Sequence, residues 1–567
     1  MMAWLRLLAV ICLVGLTPAA RAADLAPVDP VIDCAALADA NISTTEAPTS
    51  ISDASVQEVN GHQMCVVTGY ISPQIRFQVN LPVTGWTQRY LQTGCGGLCG
   101  RLGIESPQRD CAPEAAGQMV IASTDMGHEA NDGIWGASDM QLRVDFGYRG
   151  VHETAGVAKR LIAAYYGQAP AYSYFSGCSD GGREALMEAQ RYPETFDGIA
   201  AGAAALNFMV QNSMYHGWNA HVVQPDSTPR LTEADLPVLH AGALAACDMA
   251  DGVGDGIISD PSCRFDPRDL VCAAGQGGDC LSADAAEAAA ALYRGPYDGD
   301  VALLVGSVLP GSELNWAGVS VPSAKFPGGL RAQRGADQPQ GMDQMVVAGQ
   351  PRAMSPSVAA QMLQSLAYTT PFDPEWTLED FRFTIQSLDA LRPMRAIFDA
   401  TNPDLTGFAD AGGKLLIWHG LADPHISPLN SVAYWQAVQD YMDDPDQMMR
   451  LFLLPGMSHC GGGDLTSVDV MTPLMAWVED GIAPASLVLS VDDAAAEAGQ
   501  GRRIFAYPAS SVLEDGGDAD RPDDWHAGEP VGLSETLWRD WAGGDFFAPG
   551  YQRSCGFEGF DFVCRAE

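Results

Sequence analysis

Between residues 60 and 205 the apolar positions follow two alternating patterns. Short runs rich in β-branched and aromatic residues, at 89–92, 119–123 and 172–177, are followed by longer segments at 151–166 and 181–191 whose apolar residues recur three and four apart. The first pattern predicts strands and the second amphipathic helices. Strands alternating with helices of that length predict βαβ units around a mostly parallel sheet, an α/β fold. From about 206 to 395 the texture changes to Gly, Pro and Ala with long irregular stretches, which reads as an insertion rather than sheet. Strand signals return at 414–418 and 449–454, so the chain reads as one split domain, 23–205 and 396–567, carrying an inserted lid at 206–395. The Asp- and Gly-rich tail from about 490 reads as irregular.

The N-terminus has a different pattern again. Arg6 precedes an apolar run at 7–16 and then Ala20-Arg21-Ala22, the layout of a secretory signal with a small-residue cleavage site. Residues 1–22 therefore read as a signal peptide and the mature chain as starting at Ala23. The run is too short to span a bilayer, and no later stretch reaches about 18 uninterrupted apolar residues, so a soluble protein, secreted or periplasmic, is expected. Composition agrees: 567 residues with 47% apolar and 18% charged side chains exclude a disordered or fibrous chain. The charge is lopsided, with 31 Lys+Arg against 71 Asp+Glu and a net of -40. Such a surface repels phosphate backbones and anionic headgroups, which argues against nucleic-acid or membrane partners.

Of fourteen cysteines, Cys12 leaves with the signal, and the rest of an exported chain is expected to form disulfides. Spacing points to local staples: Cys34 with Cys65, Cys247 with Cys263, Cys272 with Cys280, and Cys555 with Cys564. Cys95, Cys99 and Cys111 lie close together, and two of the three are expected to pair. No CxxC pair is present to favour zinc.

The sharpest chemical signal is Gly177-Cys178-Ser179-Asp180-Gly181-Gly182, which follows a strand pattern and precedes a helix pattern. This is the context a G-x-S-x-G elbow requires, with Ser179 as candidate nucleophile. A serine hydroxyl needs a base, and the base an orienting carboxylate. Asp423, in the loop after the strand at 414–418, and His459, in the loop after the strand at 449–454, supply both in the order Ser, Asp, His. His419 and His425 compete as base. All three candidates fall at the carboxyl ends of strands, where open parallel sheets bind ligands. Cys178 precedes the serine and Cys460 follows the histidine; side chains that meet at about 3 Å bring their neighbours near disulfide distance, so a Cys178–Cys460 bond is expected. For the oxyanion, the Asp180 amide is the first candidate donor and the Gly94-Cys95-Gly96-Gly97 loop carries the second. In the insertion, Asp248-Met249-Ala250-Asp251-Gly252-Val253-Gly254-Asp255-Gly256-Ile257 places several hard oxygen donors on a glycine-bent loop, either a Ca²⁺ site or a solvated acidic loop.

Together these motifs, with Gly412-Gly413-Lys414 through His419-Gly420, Pro455-Gly456-Met457-Ser458-His459-Cys460, Thr124-Asp125-Met126-Gly127-His128 and Asp145-Phe146-Gly147-Tyr148-Arg149, resemble the tannase and feruloyl esterase family of α/β-hydrolases, which includes mono(2-hydroxyethyl) terephthalate hydrolases. The resemblance implies an α/β-hydrolase fold with a large lid, Ser179, Asp423 and His459 as triad, and a linking Cys178–Cys460 disulfide. It implies a structural Ca²⁺ held by the side chains of Asp248, Asp251 and Asp255 and the carbonyls of Val253 and Ile257. It also implies small-molecule substrates that are esters of aromatic or phenolic acids. Two departures stand out. Cys95 interrupts the glycine run of the oxyanion loop, leaving Gly96 and Gly97 as alternative donors, and Phe505-Ala506-Tyr507-Pro508 lacks the cysteine that relatives bond to the terminal one. The expected activity is therefore that of a secreted serine carboxylesterase of the feruloyl esterase or tannase type. The alternatives are a terephthalate-monoester hydrolase, a serine peptidase with the same triad, and a catalytically inactive, calcium-stabilised secreted binding protein. Arg331, Arg334, Arg352 and Arg382 are equivalent candidates for gripping a substrate carboxylate.

Overall fold

The computed structural model describes residues 25–104, 112–129, 134–225, 228–274, 278–323, 352–369, 376–559 and 561–566. The expected signal peptide at 1–22, Cys12, Cys111, Arg331 and Arg334 lie outside the described residues.

Nine strands form the central sheet: β1 (Thr49–Val59), β2 (His62–Ile71), β3 (Ile75–Pro82), β4 (Arg89–Thr93), β5 (Val120–Thr124), β6 (Tyr172–Cys178), β7 (Gly198–Gly202), β8 (Lys414–Gly420) and β9 (Met449–Leu454). Their order is β1-β2-β3-β5-β4-β6-β7-β8-β9. From β5 to β9 every neighbouring pair is parallel, as the strand–helix alternation predicts. The antiparallel β1–β2–β3 meander, paired to β5 through β3, adds an edge that this alternation did not foresee.

The parallel strands are buried on both faces, and their period-two alternation sorts the side chains. Leu91, Tyr174, Ala200, Leu416, Trp418 and Phe452 pack with Met471, Leu474 and Met475 of a late helix (Met471–Asp480) on one face. Tyr90, Phe175, Ile199, Leu415, Ile417 and Leu451 point to the other, where α1 (Gly150–Tyr166) turns Val151, Ala155, Ala158, Leu161, Ile162 and Tyr165 inward and α2 (Asp180–Arg191) follows the turn at Ser179.

The chain leaves the sheet after Gly202 and returns at Lys414. The intervening region is more ordered than its irregular texture predicted, because its Ala- and Leu-rich stretches form helices: α3 (Leu236–Cys247), α4 (Ala283–Arg294), whose Ser282 hydroxyl accepts the Ala285 N–H as an N-cap, and α5 (Ile385–Phe398). Helix α5 runs through residue 395, where the insertion was expected to end. The tail also departs from expectation. It folds into antiparallel pairs, Ser486–Ser490 with Arg502–Phe505, Ala509–Leu513 with Trp525–Pro530, and Arg553–Glu558 with Asp561–Ala566. Short Gly- and Asp-containing turns between brief strands had masked the alternation.

The described residues contain disulfides Cys34–Cys65, Cys95–Cys99, Cys178–Cys460, Cys247–Cys263, Cys272–Cys280 and Cys555–Cys564. Such a set belongs to an oxidising compartment. Among the described residues no helix is long and apolar enough to cross a membrane.

Candidate active site

Ser179 sits between β6 and α2 with φ 66° and ψ -120°, a conformation that costs a non-glycine residue energy and is held here by its surroundings. Its N–H donates to Gly202 O at 3.0 Å, and its carbonyl accepts the N–H groups of Ala205 at 3.0 Å and Arg183 at 3.1 Å. The flanking glycines have steric reasons. A Cβ on Gly177 would lie 2.5 Å from the Gly181 carbonyl, and one on Gly182 would lie 2.3 Å from Gly202 O. The turn can therefore be this tight only without those side chains. The half-buried Ser179 begins the helix, so the N-terminal amides of α2 surround it.

The loops after β8 and β9 are stacked on each other. Leu421 N–H donates to Leu454 O at 2.8 Å and Ala422 N–H to Met457 O at 2.9 Å, and a Cβ on Gly420 would lie 2.3 Å from Met457 O. This brings Asp423 to His459: Nδ1 lies 2.7 Å from Asp423 Oδ2. The other carboxylate oxygen accepts the N–H groups of His425 at 2.7 Å and Ile426 at 3.0 Å. Burial works against ionisation of Asp423, but the charge of His459 and the hydrogen bonds from His419 and His459 outweigh it and hold the carboxyl well below its ordinary range. An ionised carboxylate only accepts, so Nδ1 of His459 carries a proton, which leaves Nε2 as the nitrogen for proton transfer. Cys178–Cys460 then ties the residue before Ser179 to the residue after His459.

The two competing histidines are placed differently. Nε2 of the fully buried His419 faces two acceptors, Asp423 Oδ2 at 3.2 Å and Ile426 O at 3.0 Å, so it must carry a proton; Ser431 Oγ lies 2.7 Å from Nδ1. His419 is a second donor to Asp423. His425 packs against His459 with ring centroids 4.8 Å apart, and its Nδ1 lies 3.1 Å from His216 Nε2. Burial and the neighbouring His459 charge push His425 down to about 3, so it stays neutral.

Residues 57–527 match the family model described as tannase and feruloyl esterase. The chain belongs to this family. It is 31% identical over 512 residues to an uncharacterized esterase of Xanthomonas campestris pv. campestris, covering 80% of this chain and 83% of that protein. It is 30% identical over 516 residues to a mono(2-hydroxyethyl) terephthalate hydrolase of Piscinibacter sakaiensis, covering 80% and 81%. The crystal structure of an esterase from Aspergillus oryzae superposes with a TM-score of 0.71 at 25% identity, over 87% of this chain and 99% of that one. As a member of the family the chain is a carboxylic ester hydrolase with the α/β-hydrolase fold.

In this tannase-family chain the loop after β4 lies against the first turn of α2. The Cys95 N–H donates to Glu184 Oε2 at 3.4 Å, while Gly96 and the positive-φ Gly97 are exposed. Sequence reasoning left the pairing of Cys95 open and missed Glu184, whose signal was an acidic residue one helical turn beyond Asp180, on the same face. One cluster here has the geometry to hold a metal: ligand atoms of Cys95, Cys99, Asp180 and Glu184 lie within 4.8 Å of one another. Because the two sulfurs are bonded to each other, that cluster offers only carboxylates. Neither described candidate arginine stands free in an inner pocket. Arg382 donates to Glu379 O at 2.6 Å and Phe381 O at 3.2 Å, and Arg352 is an exposed residue bridged to Ser323 through its backbone.

Proposed function

We propose that the chain hydrolyses esters of aromatic or phenolic acids through an acyl-enzyme on Ser179. The observation that supports this reading is the Cys178–Cys460 disulfide, which joins the residue before Ser179 to the residue after His459, together with the 2.7 Å bond from His459 to the buried Asp423. Ser179 Oγ attacks the ester carbonyl while its proton moves to His459 Nε2. Asp423 stabilises the imidazolium and fixes its orientation. The oxyanion takes up the Asp180 amide and that of Gly96 or Gly97. His459 then protonates the leaving alcohol, and water, deprotonated by the same nitrogen, releases the acid. Membership of the tannase and feruloyl esterase family and the kinship with a terephthalate-monoester hydrolase support an aromatic acyl group.

The reading extends to the insertion, 206–395, as a lid over the site, and to a structural Ca²⁺ within it. Asp248, Asp251 and Asp255 share one loop bracketed by Cys247–Cys263, and Asp251 Oδ2 is buried without a hydrogen-bond partner, Arg502 Nη1 being 3.8 Å away. Arg502 also pairs with Asp255. A carboxylate oxygen left unpaired in that position fits a cation held by Asp248, Asp251 and Asp255 with the Val253 and Ile257 carbonyls, which would brace the loop. With its signal segment and disulfides the protein is exported, secreted or periplasmic.

The test is initial rates of the purified protein and its Ser179→Ala variant, with calcium, on methyl ferulate, methyl gallate, a terephthalate monoester and p-nitrophenyl acetate. Turnover of an aromatic-acid ester that drops by about 10⁶-fold in the variant is expected. Turnover of p-nitrophenyl acetate alone removes the aromatic specificity, and equal rates in both proteins remove the triad.

A further inference from the structure

The loop after β4 is fastened to the nucleophile helix at three points. The backbones touch: a Cβ on Gly94 would lie 2.6 Å from Gly181 Cα, and one on Gly181 would lie 3.0 Å from Cys95 O. The Cys95 N–H donates to Glu184 Oε2. The Cys95–Cys99 disulfide rests on the same carboxyl, with Glu184 Oε1 2.7 Å from Cys95 Sγ and 3.3 Å from Cys99 Sγ, while Asp180 Oδ2 is 3.5 Å from Cys99 Sγ. Glu184 and Asp180 are 2% and 1% exposed, and Arg183 pairs with Asp180 at 2.5 and 3.1 Å.

A disulfide sulfur carries no hydrogen, so any hydrogen bond in these contacts is donated by a protonated Glu184. Burial and the Asp180 charge favour that form by pushing Glu184 well above the usual carboxyl range. One carboxyl oxygen then donates toward the sulfurs or Asp180, and the other accepts the Cys95 amide.

We propose that Glu184 is a positioning residue for ester hydrolysis, clamping the disulfide-closed loop that carries Gly96 and Gly97 onto the helix that carries Ser179 and Asp180. The inference rests on the serine-esterase reading above. Its physical basis is preorganisation: amides stabilise a developing oxyanion only if they are already in place, and a Gly-Gly segment is free to wander unless its ends are tied. The Cys95–Cys99 bond ties the ends to each other, and Glu184 ties the closed loop to the nucleophile.

The experiment compares wild type, Glu184→Ala, Glu184→Gln and the double variant Cys95→Ala/Cys99→Ala. It reads kcat and KM on an ester the wild type cleaves, the inhibition constant of an aryl trifluoromethyl ketone, which adds to the serine as an oxyanion, and the thermal melt. Glu184→Ala and the double variant are expected to lose roughly 10- to 100-fold in kcat with KM within about threefold, and the ketone to weaken in parallel. Glu184→Gln, whose amide still donates and accepts, recovers most of the loss. A folded Glu184→Ala with wild-type kcat and ketone affinity overturns the clamp, as does Glu184→Gln failing as badly as Ala. If the double variant does not fold, the two Glu184 variants decide alone. Wild-type protein that cleaves no ester overturns the serine-esterase reading and the clamp with it, whereas wild-type turnover with unaffected variants overturns the clamp only.

Discussion

Asp423 concentrates the demands of the site on one side chain. Its two oxygens take four donors, from His459, His419 and the backbones of His425 and Ile426, in a setting with no exposure to water. In Asp423→Asn the amide can present a donor to Nδ1, which favours the wrong imidazole tautomer, so kcat/KM on a cleaved ester is expected to fall by about 10⁴-fold with little change in the fold. The same carboxyl makes a prediction about stability. Its folded pKa lies below the ordinary value of about 3.9, so near and below that pH the folded state binds fewer protons than the unfolded one. The contribution is therefore complete above about pH 4 and is lost as pH falls toward the folded value. Melting curves of wild type and Asp423→Asn should be furthest apart at neutral pH and converge below about pH 4; a gap that widens on acidification would contradict the assignment.

At the level of elements, the proposed triad draws one residue from the loop after each of β6, β8 and β9, and the Cys178–Cys460 bond joins the first of these loops to the last across 282 positions of sequence. Closing so long a loop restricts the unfolded chain by up to about 5.6 kcal/mol in the chain-entropy model. The Cys178→Ala/Cys460→Ala variant should therefore melt lower and, since the link runs through the neighbours of Ser179 and His459, lose kcat even well below its melting temperature. Unchanged kcat at low temperature would reduce the bond to a stability element. The loop proposed to hold calcium gives a parallel case: chelation with EGTA should lower the melting temperature and added Ca²⁺ restore it, with a smaller response in Asp251→Asn. These strand-end loops were legible in the sequence because a strand pattern and the turn after it are local, and Ser179, Asp423 and His459 each follow their strand within a few residues. The Cys95–Cys99 pairing and the role of Glu184 were not, because both depend on which backbone the loop after β4 meets in space. Helices α3 to α5 were obscured by a Gly- and Pro-rich background, and the β1–β3 meander by the stronger strand–helix alternation that follows it.

The whole molecule carries a net charge of -40 on 567 residues, and its exposed ion pairs do little to offset it. Arg268 with Glu287 and Asp266, for instance, has side chains half or more exposed, where solvent screening leaves such pairs little to contribute. Excess like charge confined to a compact surface opposes folding, since the unfolded chain spreads the same charge over a larger volume. Screening should relieve that cost, with a Debye length falling from about 30 Å at 0.01 M salt to about 8 Å at 0.15 M and 3 Å at 1 M. The melting temperature at pH 8, in saturating calcium, should therefore rise with added NaCl, steeply at first and then more slowly as the Debye length drops below the spacing of surface charges. Specific ion effects would instead grow roughly in proportion to salt and differ between chloride and sulfate at equal ionic strength, so the two series separate the causes. Lowering the pH toward 5 protonates part of the carboxylate excess and should flatten the salt response. A melting temperature that falls with NaCl at pH 8 would mean that attractive surface pairs outweigh the net repulsion, and that the acidic surface is not a load on the fold.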